Sequence, residues 1–294
     1  MAAKSATGRR ATTPLRSGIA PMRRPRSRSL RYRLALGVGL AALFAATART
    51  EDKPSCKAET FGTGQVQAVL DGRTVRLADG RTVRLAGIEV SQPDEADSRA
   101  NNAKLALEHL VFDRPITLMR LGPETDRHGR VVALATLPSA SSQTVQHTML
   151  AQGYARVAAN IGDFACAASL LAAEKTARAG GLGLWANPYY VMRNAEDPAG
   201  VLAVRGRFAV VEGKVLSVRE AGGTIYVNFG RRWSDDFTVT VPKRNERSFT
   251  AAGMPLKKLA GQHVRVRGWI EERGGPWIEA TRPEQIEIAE RGHD

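Results

Sequence analysis

Apolar and polar positions alternate through two copies of one heptapeptide. Gly72 to Ala78 reads GRTVRLA, Gly80 to Ala86 reads it again, and only Asp79 stands between them. In each copy Val and Leu (Val75 and Leu77, then Val83 and Leu85) alternate with Thr and Arg (Thr74 and Arg76, then Thr82 and Arg84). A period of two marks a strand with one buried face, and Asp-Gly suits a tight turn, so the repeat predicts a β-hairpin closed at Asp79-Gly80. Beyond it the period changes. Ala103, Leu107, Leu110 and Val111 fall at helical spacing within Glu95 to Phe112. Strands follow at Ile116 to Arg120 and Val131 to Leu137. Two helices come next, stopped by Gly153 and by Gly180-Gly181, the second running from Phe164 to Ala179.

Past residue 200 the pattern restarts. Arg207 to Arg219, Thr224 to Phe229 and Phe237 to Val241 read as strands, Ser248 to Leu259 as a short helix, and Val264 to Ile270 and Trp277 to Ile288 as a closing pair. Three strands, a helix and two strands is the order of an OB-type barrel. Such barrels often hold single strands with stacking aromatics and basic grooves. The candidates are Tyr226, Phe229, Trp233, Trp269 and Trp277 for stacking, and Arg231, Arg232, Arg265 and Arg267 for phosphates. The alternative places most of these aromatics in the core.

The resulting division is a leader at 1–48, a segment at 49–60, a first domain at 61–186, a linker at 187–200 that holds two prolines, and a second domain at 201–294. The leader has the grammar of an export signal: a basic start, an apolar run from Leu34 to Ala46, and Ala46-Thr47-Ala48 as cleavage site. Met22 would serve as an alternative start, leaving Arg23 to Arg33 as an ordinary basic region. The expected location is therefore periplasmic or secreted, with no membrane span left after cleavage. An uncleaved helix that anchors the same domains to a membrane is the alternative, although the run is short of the 18 or more residues a span usually takes.

Charge changes the picture less than it first suggests. The formal net charge is +14, but residues 1–48 carry ten basic residues and no acid. Residues 49–200 balance at 17 basic and 17 acidic, and 201–294 hold 16 against 12. The folded part therefore has no strong electrostatic footprint for a polyanion. Cys56 and Cys166 are the only cysteines. Export favours a disulfide between them over a metal site. The alternative is a buried thiol on the 164–179 helix beside an unpaired Cys56.

Several separated motifs in the first domain resemble the staphylococcal nuclease, or thermonuclease, family. Val69-Leu70-Asp71-Gly72-Arg73-Thr74 resembles its first metal-site turn. Arg84-Leu85-Ala86-Gly87-Ile88-Glu89 resembles its first catalytic arginine followed by an acid, and Thr125 to Arg130 the loop bearing its second. Met149 to Val157 and Ala173-Glu174 to Leu184-Trp185 are similar to its later helices. The resemblance implies an α+β fold: a five-stranded OB barrel with helices, followed here by a second OB-like barrel. It also implies calcium-assisted hydrolysis of DNA and RNA, in which a carboxylate activates water and two arginines hold the phosphoryl oxygens. The residue types suit that chemistry, because guanidinium matches phosphate bidentately and calcium prefers oxygen ligands.

Residue by residue, the resemblance implies catalytic roles for Arg84 and Arg130. The metal side departs from the family pattern. Where the family has Asp-Gly-Asp-Thr, this chain has Asp71-Gly72-Arg73-Thr74. A guanidinium replaces a ligating carboxylate, leaving Asp71 and Glu89 as candidate calcium ligands and making Ca2+ a doubtful cofactor. At about 4 Å and an effective dielectric near 20, the attraction lost and the repulsion gained are each on the order of 4 kcal/mol. The base departs too. Ungapped, Gln92 stands where the water-activating carboxylate belongs; a two-residue insertion would instead bring up Asp94, with Glu95 adjacent.

The expected function is thus an exported thermonuclease-like protein that binds phosphodiesters through Arg73, Arg84 and Arg130, with nucleic acid as partner and no efficient hydrolysis. Two alternatives stand beside it: an active calcium-dependent nuclease using Asp94 or Glu95 as base, and an envelope interaction module with neither property.

Overall fold

Val66, Val75, Leu77, Val83 and Leu85 face inward from three successive strands, and their burial closes the first barrel. The computed structural model describes residues 56, 58–91, 98–122, 125–138, 143–232 and 234–289. The leader with its cleavage site and Met22, the base candidates Gln92, Asp94 and Glu95, and Trp233 lie outside the described residues.

The first barrel is made by β1 (Glu59–Asp71), β2 (Thr74–Leu77), β3 (Thr82–Leu85), β5 (Pro115–Arg120) and β6 (Val131–Thr136). A short β4 (Ile88–Glu89) and α1 (Ser98–Val111) come between β3 and β5. The strands close in the order β1-β2-β3-β6-β5. The β3–β6 contact is parallel, with Arg84 opposite Val132, and the β1–β5 contact antiparallel. α2 (Val145–Ala151), β7 (Arg156–Val157) and α3 (Phe164–Ala179) follow, with Met149, Leu150, Ala167 and Leu170 buried in the same core.

The repeated heptapeptide forms the β2–β3 hairpin, with Thr74 opposite Arg84 and Arg76 opposite Thr82. Its connection holds three residues instead of two. The Leu77 N–H donates to the Arg81 carbonyl (2.9 Å), leaving Ala78, Asp79 and Gly80 in the turn. Gly80 takes φ +89, a left-handed value that suits glycine in a three-residue loop. Asp79 accepts from the Arg81 backbone N–H (3.0 Å), which fixes the same turn.

Cys56 and Cys166 are joined by a disulfide that ties the segment before β1 to α3, across a sequence separation of 110. Closing a loop of that length is worth roughly 2–5 kcal/mol through the entropy it removes from the unfolded chain.

Within 187–200, Tyr190 is buried, β8 (Arg193–Asn194) pairs with the next strand, and α4 (Pro198–Leu202) is capped by Asp197. β9 (Phe208–Lys214) and β10 (Ser217–Ala221) come next and belong to different sheets. β11 (Thr224–Asn228) and β12 (Thr238–Pro242) follow, then α5 (Glu246–Ala251). β13 (His263–Trp269), β14 (Glu271–Arg273), β15 (Gly275–Glu279) and β16 (Ile286–Ile288) complete the module. β12 and β15 pair in parallel, and β13 returns antiparallel to β9. The strands fall in two sheets, β10-β11-β12-β15-β14 and β16-β13-β9-β8, around a separate core that includes Val211, Val227, Phe237, Val239, Phe249 and Val266. The fold is α+β with OB-like barrels. No helix of the described residues is long and apolar enough to cross a membrane.

Both barrels belong to one compact unit. Between them lies a buried ion network. Glu174 on α3, with no exposed surface, accepts from Arg178 (3.0 Å), from the Val157 backbone N–H (2.5 Å), and from both terminal nitrogens of Arg267 on β13 (3.1 Å each). Glu287 on β16 pairs with Arg178, Arg265 and Arg267.

Candidate functional site

Four side chains of the hairpin and its exits set the geometry. The Asp71 carboxylate turns back to accept the Arg73 backbone N–H (2.8 Å), stabilising the tight β1–β2 turn. Arg73 is thereby aimed across the hairpin, where it forms an ion pair with Glu89 and donates to the Ile88 carbonyl (3.2 Å). Glu89, on β4, also faces Arg84, 3.5 Å from its guanidinium. Gly87 makes this approach possible. It sits at φ +75 between β3 and β4, and a Cβ there would come within 2.8 Å of Leu170.

The second arginine of the motif set stands in the 125–130 loop. Asp126 holds it with a carboxylate–guanidinium contact (2.7 Å) and accepts from the backbone N–H groups of His128 (2.9 Å) and Arg130 (3.1 Å). Burial would raise the Asp126 carboxyl, but these donors outweigh it and hold it at about 2. The Arg84 pKa is also lowered, which here disfavours the charge. Burial disfavours its charged form, and repulsion from Arg73 and Arg130 adds to this, against the attraction of Glu89 and Asp126. Three guanidiniums therefore crowd two carboxylates, and the buried Arg84 Nε has no hydrogen-bond partner among the described residues.

This donor set does not fit a calcium ion. Both Glu89 oxygens face guanidinium groups, Asp71 is engaged with its own turn, and position 73 is cationic. Among the described residues no group of three or more His, Cys, Asp or Glu side chains could hold a metal. Asp71 and Glu89, read from the sequence as candidate ligands, thus serve as a turn cap and as the partner of two arginines.

A cleft of about 530 Å3 opens beside Arg84 and Glu89. Ala86, Val132 and the Ala158–Gly162 loop line it from the first barrel. Phe208, Trp269 and Arg282 line it from the second. Sequence reasoning singled out Trp269 as a stacking candidate but attached it to the second barrel alone, and it missed Phe208 and Arg282. No local signal marks either residue, because the cleft exists only once two modules meet. Two other expectations are corrected here. Arg265 (6% exposed) and Arg267 (0%) are locked in ion pairs with Glu212, Glu287 and Glu174 and cannot meet a phosphate. Phe229 is buried in the second core.

Residues 82–187 match the family model described as Staphylococcal nuclease homologue. The matched segment begins at β3 and includes Arg84, Glu89 and Arg130. This part of the chain is a staphylococcal nuclease-like domain. Comparison of the chain with curated proteins gives no match.

Proposed function

We propose that the staphylococcal nuclease-like domain is a degenerate nuclease, binding the phosphodiester of nucleic acid at Arg84 without a metal ion and without efficient hydrolysis. One observation carries the reading. Arg73 occupies the carboxylate Glu89 that a divalent ion would need, while Arg84, crowded by Arg73 and Arg130, lines the open cleft. Arg73 supplies in fixed form the positive charge that a cation would otherwise bring. A phosphate entering beside Arg84 gains a charge-assisted hydrogen bond and relieves the repulsion among three guanidiniums. Binding by domains of this family generally involves nucleic acid, which supports the choice of ligand. Gln92, in the ungapped register, offers no proton acceptor, and losing a general base removes about 10²–10⁴ in rate.

Export belongs to the same proposal. It is supported by the basic start, the apolar run to Ala46, the small residues at Ala46-Thr47-Ala48, and the use of both cysteines in one bridge. N-terminal sequencing of protein recovered from outside the cytoplasm is expected to begin at Arg49.

The deciding experiment incubates mature protein with single-stranded DNA, once with calcium and once with chelator. Retention that is equal in both, with the DNA intact, is the expected result. Calcium-dependent cleavage would instead establish a working nuclease with Asp94 or Glu95 as base. Neither cleavage nor retention would leave an envelope interaction module.

A further inference from the structure

The Arg84 cleft has two unlike walls. The first barrel contributes charge at Arg84 and Glu89 and small or aliphatic surface at Ala86, Val132 and Ala158–Gly162, with no aromatic side chain. The second barrel contributes both rings, Phe208 and Trp269. Trp269 ends β13, and its side chain is turned out of the core between Gly268 and the buried Ile270, so the residue is 48% exposed. Its indole packs edge-on against Phe208, centroids 6.4 Å apart and planes at 73°. That contact braces the ring while leaving it accessible. Arg282 lines the same cleft and makes no ion pair among the described residues.

These walls are held in place by the second barrel. Its Glu284 carboxylate, 3% exposed, accepts the backbone N–H groups of Ile161 and Gly162 (3.2 Å each), which fixes the loop lining the cleft. Arg267 and Glu174 lock β13 to α3 behind it. A ligand therefore meets a preformed site whose rigid parts need little ordering on binding.

We propose that the second barrel completes the phosphate site as a base-stacking wall, with Trp269 as the platform, so that the ligand is single-stranded nucleic acid held across both barrels. This rests on the reading of Arg84 as a phosphate site. The volume of about 530 Å3 lies within the range of sites that enclose small ligands. An indole can stack only on a base whose face is free, which a duplex does not offer along its length. Stacking tolerates every base, so the site selects strandedness and not sequence. Arg282, across the cleft, is placed to meet a neighbouring phosphate.

The test compares a dye-labelled oligo(dT), an abasic oligomer of equal length and a duplex, by anisotropy, on wild type, W269A, W269Y and R84A. Wild type is expected to hold oligo(dT) about tenfold more tightly than the abasic strand, in line with one stacked base, and to prefer it to duplex. W269A is expected to erase that margin without changing abasic affinity, W269Y to keep most of it, and R84A to weaken both strands. Quenching of wild-type indole emission by oligo(dT) but not by the abasic strand gives the same answer should W269A misfold. Equal binding of both strands by wild type, or an unchanged margin in W269A, overturns the stacking wall and leaves the phosphate reading standing. Binding of neither strand overturns the phosphate reading, and the wall with it.

Discussion

The two barrels share a parallel strand contact, β3–β6 in one and β12–β15 in the other, yet they treat their arginines in opposite ways. In the first, Arg84 projects from β3 beside an open cleft, half-buried, with Glu89 3.5 Å from its guanidinium. In the second, Arg265 and Arg267 project from β13 into carboxylates and are almost or wholly excluded from solvent. Guanidinium on an outward strand position is thus no guide to function by itself. What faces it decides: a cavity allows a guanidinium to bind an anion, whereas Glu174 and Glu287 turn it into part of an interface. The first barrel presents an arginine at the cleft, and the second supplies the support behind it and the two rings that line it.

That contrast can be broken most forcefully at Arg267. Arg267→Ala takes a guanidinium away from the wholly buried Glu174, and removing one partner of a buried pair costs about 3–5 kcal/mol. Urea unfolding monitored by circular dichroism is expected to show that loss, while Arg76→Ala, at the exposed position of the first copy of the repeat, stays within about 0.5 kcal/mol of wild type. A mild effect at Arg267 would mean that the interface is not held by this network.

Next comes the pair of arginines that the sequence makes identical. Arg84→Ala is expected to weaken single-stranded DNA binding by about tenfold to a hundredfold, the worth of hydrogen bonds to a charged group, and Arg76→Ala to leave it unchanged. Equal losses would reduce the cleft to general surface charge. Both variants fit one filter-binding series.

Arg73→Asp sharpens the comparison from the metal side. It frees Glu89 and places a carboxylate opposite, so calcium is expected to stabilise the variant by about 1–3 kcal/mol at ten to a hundred times its Kd. Wild type is expected to show no calcium-dependent change in Tm. A calcium shift in wild type would contradict the fixed-charge role of Arg73.

The smallest effect lies in the 125–130 loop. The Asp126 carboxyl sits at about 2, below its ordinary value near 3.9, so the native state binds fewer protons than the unfolded chain in between. The stability this contributes is complete above about pH 4 and fades as pH falls towards 2. Asp126→Asn is expected to flatten the acid limb of Tm against pH within that window, by lowering Tm at neutral pH and converging on wild type towards pH 2.

Much of this architecture is legible along the chain because it rests on local rules. Alternation marked β2 and β3, glycines marked the ends of α2 and α3, and Asp-Gly marked the hairpin, missing only that Gly80 closes a three-residue loop. The ordered motifs around Arg84 and Arg130 mark the first barrel, and the guanidinium at position 73 is read directly from the sequence. Pairing choices were not legible. Whether Arg73 would meet Asp79, Glu89 or solvent depends on the path of its side chain across the hairpin, and the answer, Glu89, follows from the turn that Asp71 caps.

The two GRTVRLA copies draw the line most sharply. Their identical composition determined two identical strands, because strand pattern, turn chemistry and the burial of Val and Leu are short-range properties. Only the tertiary structure separated Arg76, exposed at the surface, from Arg84, set beside β6 and the cleft. Burial, electrostatic crowding and the arrival of Trp269 and Arg282 from the second barrel arise from contacts between segments far apart in sequence, and no local pattern encodes them.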